Sequence, residues 1–377
     1  MSTSVITKWH SPTQKESETP TVDGLSHGIS KGWYLFGSTH YERTYANGKL
    51  HGPSYTWYPS SFNLPPRETY AEYVDGVPHG FYQRWHPNGR RQEEGIYSYG
   101  RRIGIWTIWH HTGHKAELSC WVNGVREGAW NTWYVNGTPN ECGSYQSGER
   151  SGPYRAYSPS GSLTASTTYN NGLLDGLYQS WFPGGQPRYE YTCRAGARHG
   201  LSQGWYDNGI LAETVAYVDG AKEGTFTSYH SNGVIHEQTQ FEAGKEHGLY
   251  EAWYPCGTHK EVGSYVDGKR QGPFQSWHSN GKPSVKRTYE AGLEHGLHQE
   301  WFPSGTLRYS GMRVHGGIDV RSVTTNIAIP NEYELGFYPF QLGGGQTKEE
   351  DFPERYGLAP YPPCPPEGRG TRPDFST

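Results

Sequence analysis

The sequence is poor in the residues that build a thick apolar core. Hydrophobic residues make up 33% of its 377 positions, and only two residues are methionine. No apolar run approaches the ~18 residues that suggest a membrane-spanning helix. Residues 1–20 are polar and do not resemble a secretory signal peptide. We therefore expect neither a large aliphatic core nor a transmembrane helix.

Cysteine and net charge are also low. The five cysteines, Cys120, Cys142, Cys193, Cys256 and Cys364, form no closely spaced pair. This spacing is typical of a reducing compartment and not of a disulfide framework. The formal net charge is −4 and no face is expected to form a basic stripe, so nucleic acid is not an expected partner. We expect a cytoplasmic location, with incorporation into a virion or a cytoskeletal assembly as a further possibility.

Sequence motifs of known catalytic chemistry are absent. There is no Gly-x-Ser-x-Gly sequence and no Cys/His pair in a recognisable frame. His110, His111 and His114 form the densest local group of histidines, but no set of cysteines or carboxylates completes a metal site beside them. The sequence therefore predicts a protein that is not an enzyme and that has no cofactor and no metal ion.

Glycine and aromatic residues are abundant instead. The chain contains 51 glycines, and 15% of its residues are aromatic. The average glycine share is only about 7%. Aromatic residues favour strands and glycine favours turns. We therefore expect an all-β protein in which large rings supply most of the buried area.

These residues recur with a period of 24. The first position of the repeat falls at Thr21 and Tyr45, then at Tyr73 and every twenty-fourth residue onward until the array ends near Met312. In the twelve units the fourth and eighth positions are always glycine, and the thirteenth is tryptophan in ten of them. Such self-similarity is typical of repeat proteins in which each unit stacks on its neighbours.

The pattern within a unit predicts a β-hairpin. In the unit that begins at Phe241, residues 242–248 contain two glycines and are predicted to form a loop, and residues 249–254 a short strand. Pro255–Gly257 is a predicted turn, and residues 258–265 form the second strand. Hairpins in series, with strands about 4.8 Å apart, would advance about 9.6 Å per unit and span roughly 115 Å. The expected fold is an elongated single-layer antiparallel meander with a mostly irregular C-terminal tail.

The limits of the period divide the chain into three segments. Residues 1–20 are rich in serine, threonine and charge and are expected to be disordered. Residues 21–312 form the repeat array. Residues 313–377 break the period, and residues 321–329 are predicted to be a strand that caps the sheet. The proline- and aromatic-rich remainder is expected to be an arm that lies on its own array or docks on a partner.

Two polar columns contain side chains that catalytic and metal sites use. Histidines at the seventh position are expected to lie about 9.6 Å apart or more, whereas two imidazoles that share zinc need nitrogens within about 4 Å. Glutamates at the twenty-first position are expected to line a solvated face or to form cross-strand pairs. These columns are His27, His51, His79, His199, His247 and His295, and Glu93, Glu117, Glu141, Glu213, Glu237 and Glu261. A glycan-active enzyme would need two of the glutamates about 5–10 Å apart in a cleft.

The unit Tyr-x-x-Gly-x-x-x-Gly-x-Tyr-x-x-Trp-Tyr-x-x-Gly resembles the MORN repeat in its variant form. The pairs His51-Gly52 and His247-Gly248, and the sequence Val266-Asp-Gly268, add to a likeness that covers about residues 21–312. MORN proteins are known as scaffolds, membrane-associated adaptors and cytoskeletal or ciliary components. Many bacterial proteins with the variant repeat are described as antitoxin-like. The resemblance therefore implies a binding protein.

The tryptophans of the thirteenth position are the candidate partner-binding residues. They form either the core of the array or, in part, an exposed aromatic strip, and tryptophan is favoured in binding hot spots. The candidates are Trp85, Trp109, Trp133, Trp181, Trp205, Trp253, Trp277 and Trp301. The leading hypothesis is a structural scaffold that binds other proteins through this extended surface. The alternative is an antitoxin-like module or a module that binds at a membrane surface.

Overall fold

Tight turns at the third and fourth positions of the repeat set the fold. In the computed structural model, which describes residues 2–60 and 65–319, thirteen such turns run from Asp23-Gly24 to His315-Gly316. The third-position residue has a φ of 46–52° and the following glycine a φ of 78–90°. Positive φ at both central residues defines a type I′ turn, whose twist matches that of the two strands it joins.

The predicted loop at residues 242–248 is wrong. A two-residue turn at Ala243-Gly244 leads directly into the strand Lys245–Trp253. Gly248 lies inside this strand, at a bulge where Glu246 pairs with Phe241 and Tyr250 pairs with Thr239. The second glycine, Gly248, therefore provides the positive φ of this bulge and does not belong to a loop.

The turn predicted at Pro255–Gly257 is confirmed. Gly257 has a φ of 85° and donates its backbone N–H to the carbonyl of Tyr254 at 2.8 Å. The backbone N–H of Tyr254 bonds in turn to the carbonyl of Thr258 at 2.9 Å. This turn closes the other end of each hairpin.

Backbone contacts group the chain into two compact units. The first consists of Met1–Gly185 with Cys193–Ala197, and the second of Gln186–Thr192 with the residues from Arg198 onward. The strands of the first unit are β1 Thr3–Ser11, β2 Gln14–Val22, β3 Leu25–Ser26, β4 Gly28–Trp33, β5 Thr39–Ala46, β6 Lys49–Trp57, β7 Arg67–Val74, β8 Val77–Trp85, β9 Arg91–Ser98, β10 Arg101–Trp109, β11 Lys115–Val122, β12 Val125–Trp133, β13 Pro139–Gln146, β14 Glu149–Arg150, β15 Gly152–Tyr157, β16 Leu163–Asn170, β17 Leu173–Leu174 and β18 Gly176–Trp181.

The division falls within two strands, β19 Pro187–Arg194 and β20 Ala197–Trp205. The remaining strands of the second unit are β21 Leu211–Val218, β22 Ala221–Tyr229, β23 Ile235–Glu242, β24 Lys245–Trp253, β25 His259–Val266, β26 Lys269–Arg270, β27 Gly272–Trp277, β28 Pro283–Glu290, β29 Leu293–Glu294, β30 Gly296–Trp301, β31 Leu307–Val314 and β32 Gly317–Asp319.

Each unit confirms the predicted fold class. Within a unit the strands pair antiparallel with their neighbours along the chain, as β10 does with β9 and β11 in the first unit and β24 with β23 and β25 in the second. The described residues form no helix, and hence none that is long and apolar enough to cross a membrane. The chain is therefore an all-β array of hairpins.

The N-terminal segment is ordered, contrary to the prediction of disorder for residues 1–20. Strands β1 and β2 form a hairpin in which Thr3 pairs with Val22 and Lys8 with Ser17. Strand β2 also pairs with β4, through Ser17 and Gly32. The polar side chains do not prevent pairing because the backbone bonds of the first complete hairpin are open to another strand at this edge.

The repeat also continues beyond Met312. Strand β31 ends at Val314, and the type I′ turn His315-Gly316 leads into β32. The predicted boundary at residue 312 is therefore too early. The capping strand predicted at residues 321–329, and the arm that follows it, lie outside the described residues.

The two faces of the sheet differ in packing. Side chains alternate along a strand, so the tenth position points to one face and the ninth, eleventh and thirteenth to the other. We call the first the arginine face, for its sixth-position arginines, and the second the tryptophan face. The buried rings of Trp106, Trp130, Phe226 and Phe274 all occupy the tenth position. The main apolar packing therefore lies on the arginine face and not along the tryptophan column.

Candidate functional site

The tryptophan column lies on the tryptophan face in both units. All eight predicted candidates, Trp85, Trp109, Trp133, Trp181, Trp205, Trp253, Trp277 and Trp301, are half-buried. Their rings are neither enclosed in a core nor fully open to solvent. The column therefore retains part of its ring surface for contact with another molecule, and its role in partner binding stays a prediction.

Side chains at the nineteenth position alternate with the tryptophan rings. The guanidinium of Arg67 lies 5.3 Å from the centre of the Trp85 ring. The imidazole of His259 lies between two members of the column, 5.4 Å from Trp253 and 5.8 Å from Trp277. These contacts hold the rings in place, because a cation or an aromatic edge is attracted to the face of an indole. At Trp85, Trp253 and Trp277 the column is thus a mixed ladder of indoles and nineteenth-position side chains.

A row of exposed aliphatic and aromatic residues runs beside this ladder at the ninth position. Ile105 is 60% exposed and Leu201 is 57% exposed. The other exposed members of the row are Ile29, Phe81, Leu177, Leu249 and Leu297. Sequence reasoning missed this row, although the alternation of positions nine, eleven and thirteen was visible and would have placed it on the same face as the tryptophans.

Aromatic side chains at the fourteenth position link successive 24-residue repeats. The hydroxyl of Tyr134 donates to the carbonyl of Tyr157 at 2.8 Å, and that of Tyr254 donates to the carbonyl of Trp277 at 2.9 Å. The hydroxyl groups of three further tyrosines donate to the carbonyl of the thirteenth residue in the next repeat; they are Tyr34, Tyr58 and Tyr206. Where the fourteenth residue is a histidine, a ring nitrogen contacts the same carbonyl, as at His10, His86, His110, His230 and His278. These bonds fix the backbone that carries the tryptophan column.

Asparagines at the sixteenth position make a second link. The side-chain amide of Asn136 donates to the carbonyl of Pro159 at 3.0 Å, while its oxygen accepts the backbone N–H of Thr138 at 3.1 Å. Asn88, Asn208, Asn232 and Asn280 make the same pair of bonds. The Asn-Gly signal therefore serves the contact between units as well as the turn.

On the arginine face, four of the six glutamates in the predicted column pair with arginines of the sixth position. Arg102 lies 2.6 Å from Glu93 and Arg126 lies 2.8 Å from Glu117. Arg150 lies 4.0 Å from Glu141 and Arg270 lies 3.6 Å from Glu261. These four glutamates form cross-strand ion pairs, which is one of the two arrangements that the sequence predicts.

The same arginines cover the buried rings. The guanidinium of Arg102 lies 4.0 Å from the centre of the Trp106 ring, and Tyr82 and Tyr97 pack against that ring at 5.7 and 4.8 Å. Burial raises the pKa of the Tyr82 hydroxyl, and the charge of Glu93 adds to this effect. The arginines of this face therefore contact both the glutamates and the buried rings.

His110, His111 and His114, the densest local group of histidines in the sequence, take part in hydrogen bonds to the backbone. A ring nitrogen of His110 lies 2.9 Å from the carbonyl of Trp133, and the backbone N–H of His110 bonds to the carbonyl of His114 at 2.9 Å. His111 accepts a bond from the Asn88 amide at its carbonyl. Among the described residues, these three histidines do not form a group of possible metal ligands.

A different group of possible ligands combines residues of different columns. The donor atoms of Glu290, His295 and His315 all lie within 4.8 Å of one another. His295 belongs to the predicted seventh-position column, whereas His315 is a turn residue at the third position of the following hairpin. The expected spacing within the seventh-position column does not apply to this group, because its residues meet across neighbouring hairpins.

The comparison with protein families identifies the repeat. The model of the MORN repeat variant matches residues 198–219, 222–243 and 270–291. Each matched segment runs from a sixth position to the third position of the next unit, that is, from one type I′ turn to the next. These three segments of the chain are therefore similar to the MORN repeat in its variant form. No curated protein matches the chain in sequence.

Solved structures add nothing about function. A chain in the crystal structure of TcdB2-TccC3-Cdc42 aligns over 83% of this chain and 17% of its own length, at 9% identity and a TM-score of 0.18. A chain in the crystal structure of TcdB2-TccC3 aligns over 83% of this chain and 18% of its own, at 9% identity and a TM-score of 0.17. This chain spans less than a fifth of either one, and scores of this size carry no argument about fold or activity.

Proposed function

We propose that the array is a non-enzymatic scaffold that binds another protein through the tryptophan face. The observation that carries the proposal is the row of exposed apolar residues at the ninth position beside the half-buried tryptophans. Contiguous exposed apolar surface commonly marks an interaction site. Tryptophan supplies much of the binding energy in such sites.

The arginine face is a weaker candidate for the same role. Its rings at the tenth position are buried, and its arginines are paired with glutamates or lie against rings. A partner on that face would have to compete with these contacts. On the tryptophan face, a partner covers Ile105 or Leu201 and displaces only water from them.

The repeat suggests a partner that contacts several hairpins. Ninth positions recur once per hairpin, at about 9.6 Å, and in the second unit every other one is an exposed leucine: Leu201, Leu249 and Leu297. A partner with a matching series of apolar side chains gains avidity, because each contact after the first is made at high effective concentration. We propose that this partner is a cytoplasmic protein within a larger assembly, such as a cytoskeletal structure or a virion.

Affinity purification from the native source tests the proposal. The wild-type chain is compared with the double variant Leu201→Ser/Leu249→Ser, which removes two exposed residues of the ninth-position row. A matched control, Val218→Ser/Val266→Ser, removes two apolar residues of similar exposure at the turn edge. We expect quantitative mass spectrometry to show one protein that the control retains and the leucine variant loses.

Two outcomes would overturn the proposal. The first is a partner retained equally by both variants, which would move the binding surface away from this row. The second is sedimentation of the wild-type chain with lipid vesicles that the leucine variant fails to join, which would make the row a membrane contact. Circular dichroism of each variant confirms that the strands persist.

A further inference from the structure

Two imidazoles and one carboxylate meet at the turn edge of the second unit. His295 Nε2 lies 3.8 Å from Glu290 Oε2, and the ring centres of His295 and His315 are 5.1 Å apart. One donor atom from each of the three residues lies within 4.8 Å of the other two. Imidazole and carboxylate groups in this number are the ligands that zinc and similar divalent metals use.

The repeat lattice fixes the backbones that carry these side chains. The backbone N–H of His295 bonds to the carbonyl of Thr288 at 2.8 Å, and that of Gly316 bonds to the carbonyl of Glu294 at 2.9 Å. Glu290 is held at the end of β28, where it pairs with Leu293 across the turn. The three Cα atoms are therefore placed by hydrogen-bonded backbone, and only the side-chain rotamers have to adjust to an ion.

The same lattice positions elsewhere carry a different chemistry. His247 lies 3.7 Å from Glu242 and 3.9 Å from Asp267, and His199 lies 3.2 Å from Asp219. In both places the third-position neighbour of the histidine is a carboxylate. At His295 that neighbour is a second imidazole, so this position brings together two nitrogen donors and one carboxylate.

We propose that Glu290, His295 and His315 form a binding site for a divalent transition metal ion, with Zn²⁺ as the reference ion. A divalent cation can be bound by the nitrogens of both rings and is attracted to the carboxylate. Zinc–nitrogen distances are about 2.0–2.1 Å, so the donor atoms must draw closer than they now lie. The partly exposed side chains of Glu290 and His295 leave room for that movement.

Three protein ligands leave one coordination position for water. This arrangement predicts a single, mainly surface site. It also ties the turn Ala291-Gly292 to the turn His315-Gly316, so the ion would stabilise the last described hairpins of the second unit. The inference is independent of the partner-binding proposal.

Titration of the full chain with Zn²⁺ and with Co²⁺, after treatment with a chelator, tests the proposal. We expect one zinc ion per chain by calorimetry, and a Co²⁺ spectrum with d–d bands but no thiolate charge-transfer band. Loss of a supporting residue around a metal commonly lowers affinity about 10–100-fold, so loss of a direct ligand in His295→Ala or His315→Ala should cost about 100-fold or more.

The control substitution is His27→Ala, at the same seventh position of the first unit. Its lattice neighbours are Val22 and Asn47, which offer no carboxylate or imidazole. We expect this variant to bind zinc as the wild type does. Zinc binding that is unchanged in His295→Ala and His315→Ala, or a wild-type chain that binds less than one ion, would overturn the proposal. Circular dichroism distinguishes loss of a ligand from loss of the fold.

Discussion

The indole of Trp106 occupies the space that a side chain at Gly95 would need. A Cβ atom built on Gly95 would lie 2.2 Å from the Trp106 ring. The ring is fully buried and is confined by Tyr97 at 4.8 Å and by Arg102 at 4.0 Å. The largest ring of the arginine face therefore depends on a residue without a side chain on the neighbouring strand.

Replacement of Gly95 by alanine is expected to destabilise the first unit. Overpacking of a confined site typically costs about 1–3 kcal/mol, which exceeds the ~0.5–1 kcal/mol that alanine gains over glycine within a strand. Chemical denaturation followed by tryptophan fluorescence measures the change. The double variant Gly95→Ala/Trp106→Phe should lose less than the sum of its single changes, because the smaller ring fills less of the space that the added methyl group needs and the two sites are in contact. Strict additivity would contradict the packing argument.

The hydroxyl of Tyr134 is expected to stabilise the contact between its unit and the next. Tyr134→Phe leaves the carbonyl of Tyr157 without its 2.8 Å bond, at a cost of about 0.5–1.5 kcal/mol. Amide exchange in β15 should quicken, and denaturation should require less urea. Tyr99→Phe is the control, since its exposed hydroxyl makes no hydrogen bond among the described residues. Equal stability of the two variants would rule out this role.

Glu246 interrupts the arginine column, and its replacement is expected to stabilise the second unit. Burial raises the pKa of Glu246, and the charge of Glu237 raises it further. A raised pKa in the folded chain means that ionisation opposes folding above the ordinary glutamic acid pKa of about 4.3. Glu246→Gln should therefore gain stability at neutral pH, and the gain should vanish as pH falls below that value.

The variant Glu246→Arg should gain somewhat more, because it restores the pairing seen between Arg102 and Glu93. Exposed pairs of this kind contribute about 0.2–1 kcal/mol. Glu251→Gln is the control on the opposite face of the same strand, and it should show no comparable gain. Thermal unfolding at neutral and acidic pH measures all three variants. A loss of stability in Glu246→Gln at neutral pH would contradict the prediction.

The stability contributed by Glu300 is expected to depend on pH in the opposite sense. A hydrogen bond from His298, at 3.1 Å, is the largest cause that lowers the pKa of Glu300, and the charges of Arg308 and Arg287 add to it. A lowered pKa in the folded chain gives stability that is present above the ordinary value of about 4.3 and is lost as pH falls through the folded pKa.

His298→Phe should reduce this loss of stability between pH values of about 4 and 2. Phenylalanine fits the tenth position, as Phe226 and Phe274 show, so the ring packing is kept while the hydrogen bond to Glu300 is removed. Unfolding midpoints measured across the acidic range test this. An unchanged slope in the variant would mean that the bond does not hold the carboxylate in its ionised form.

The period of the sequence was enough to predict the hairpins, because strict columns of glycine and tryptophan mark a repeated backbone geometry. It was not enough to identify the buried face. The tryptophans of the thirteenth position drew attention for their number, whereas burial at the tenth position depends on small neighbours such as Gly95 and on covering groups such as Arg102. Those relationships join different strands and do not appear in a single column.

The N-terminal hairpin was missed for a related reason. Trp9 lies 24 residues before Trp33 and His10 the same distance before Tyr34, and His10 contacts the carbonyl of Trp33 as its equivalents do. The segment has no glycine at the expected positions, so its polar composition suggested disorder. The candidate metal ligands His295 and His315 were missed because they are separated by 20 residues and not by a full period.

The bond from Tyr58 to the carbonyl of Trp85 survives the extra residues between those two positions, at 2.8 Å. The added length lies between β6 and β7, outside the paired strands. Insertion of residues between β6 and β7, or duplication of one whole period, would therefore keep these hydrogen-bond donors opposite their carbonyl acceptors. Such arrays are free to gain or lose whole hairpins during evolution, while a deletion of one residue within a strand would shift its pairing register and turn its side chains to the other face.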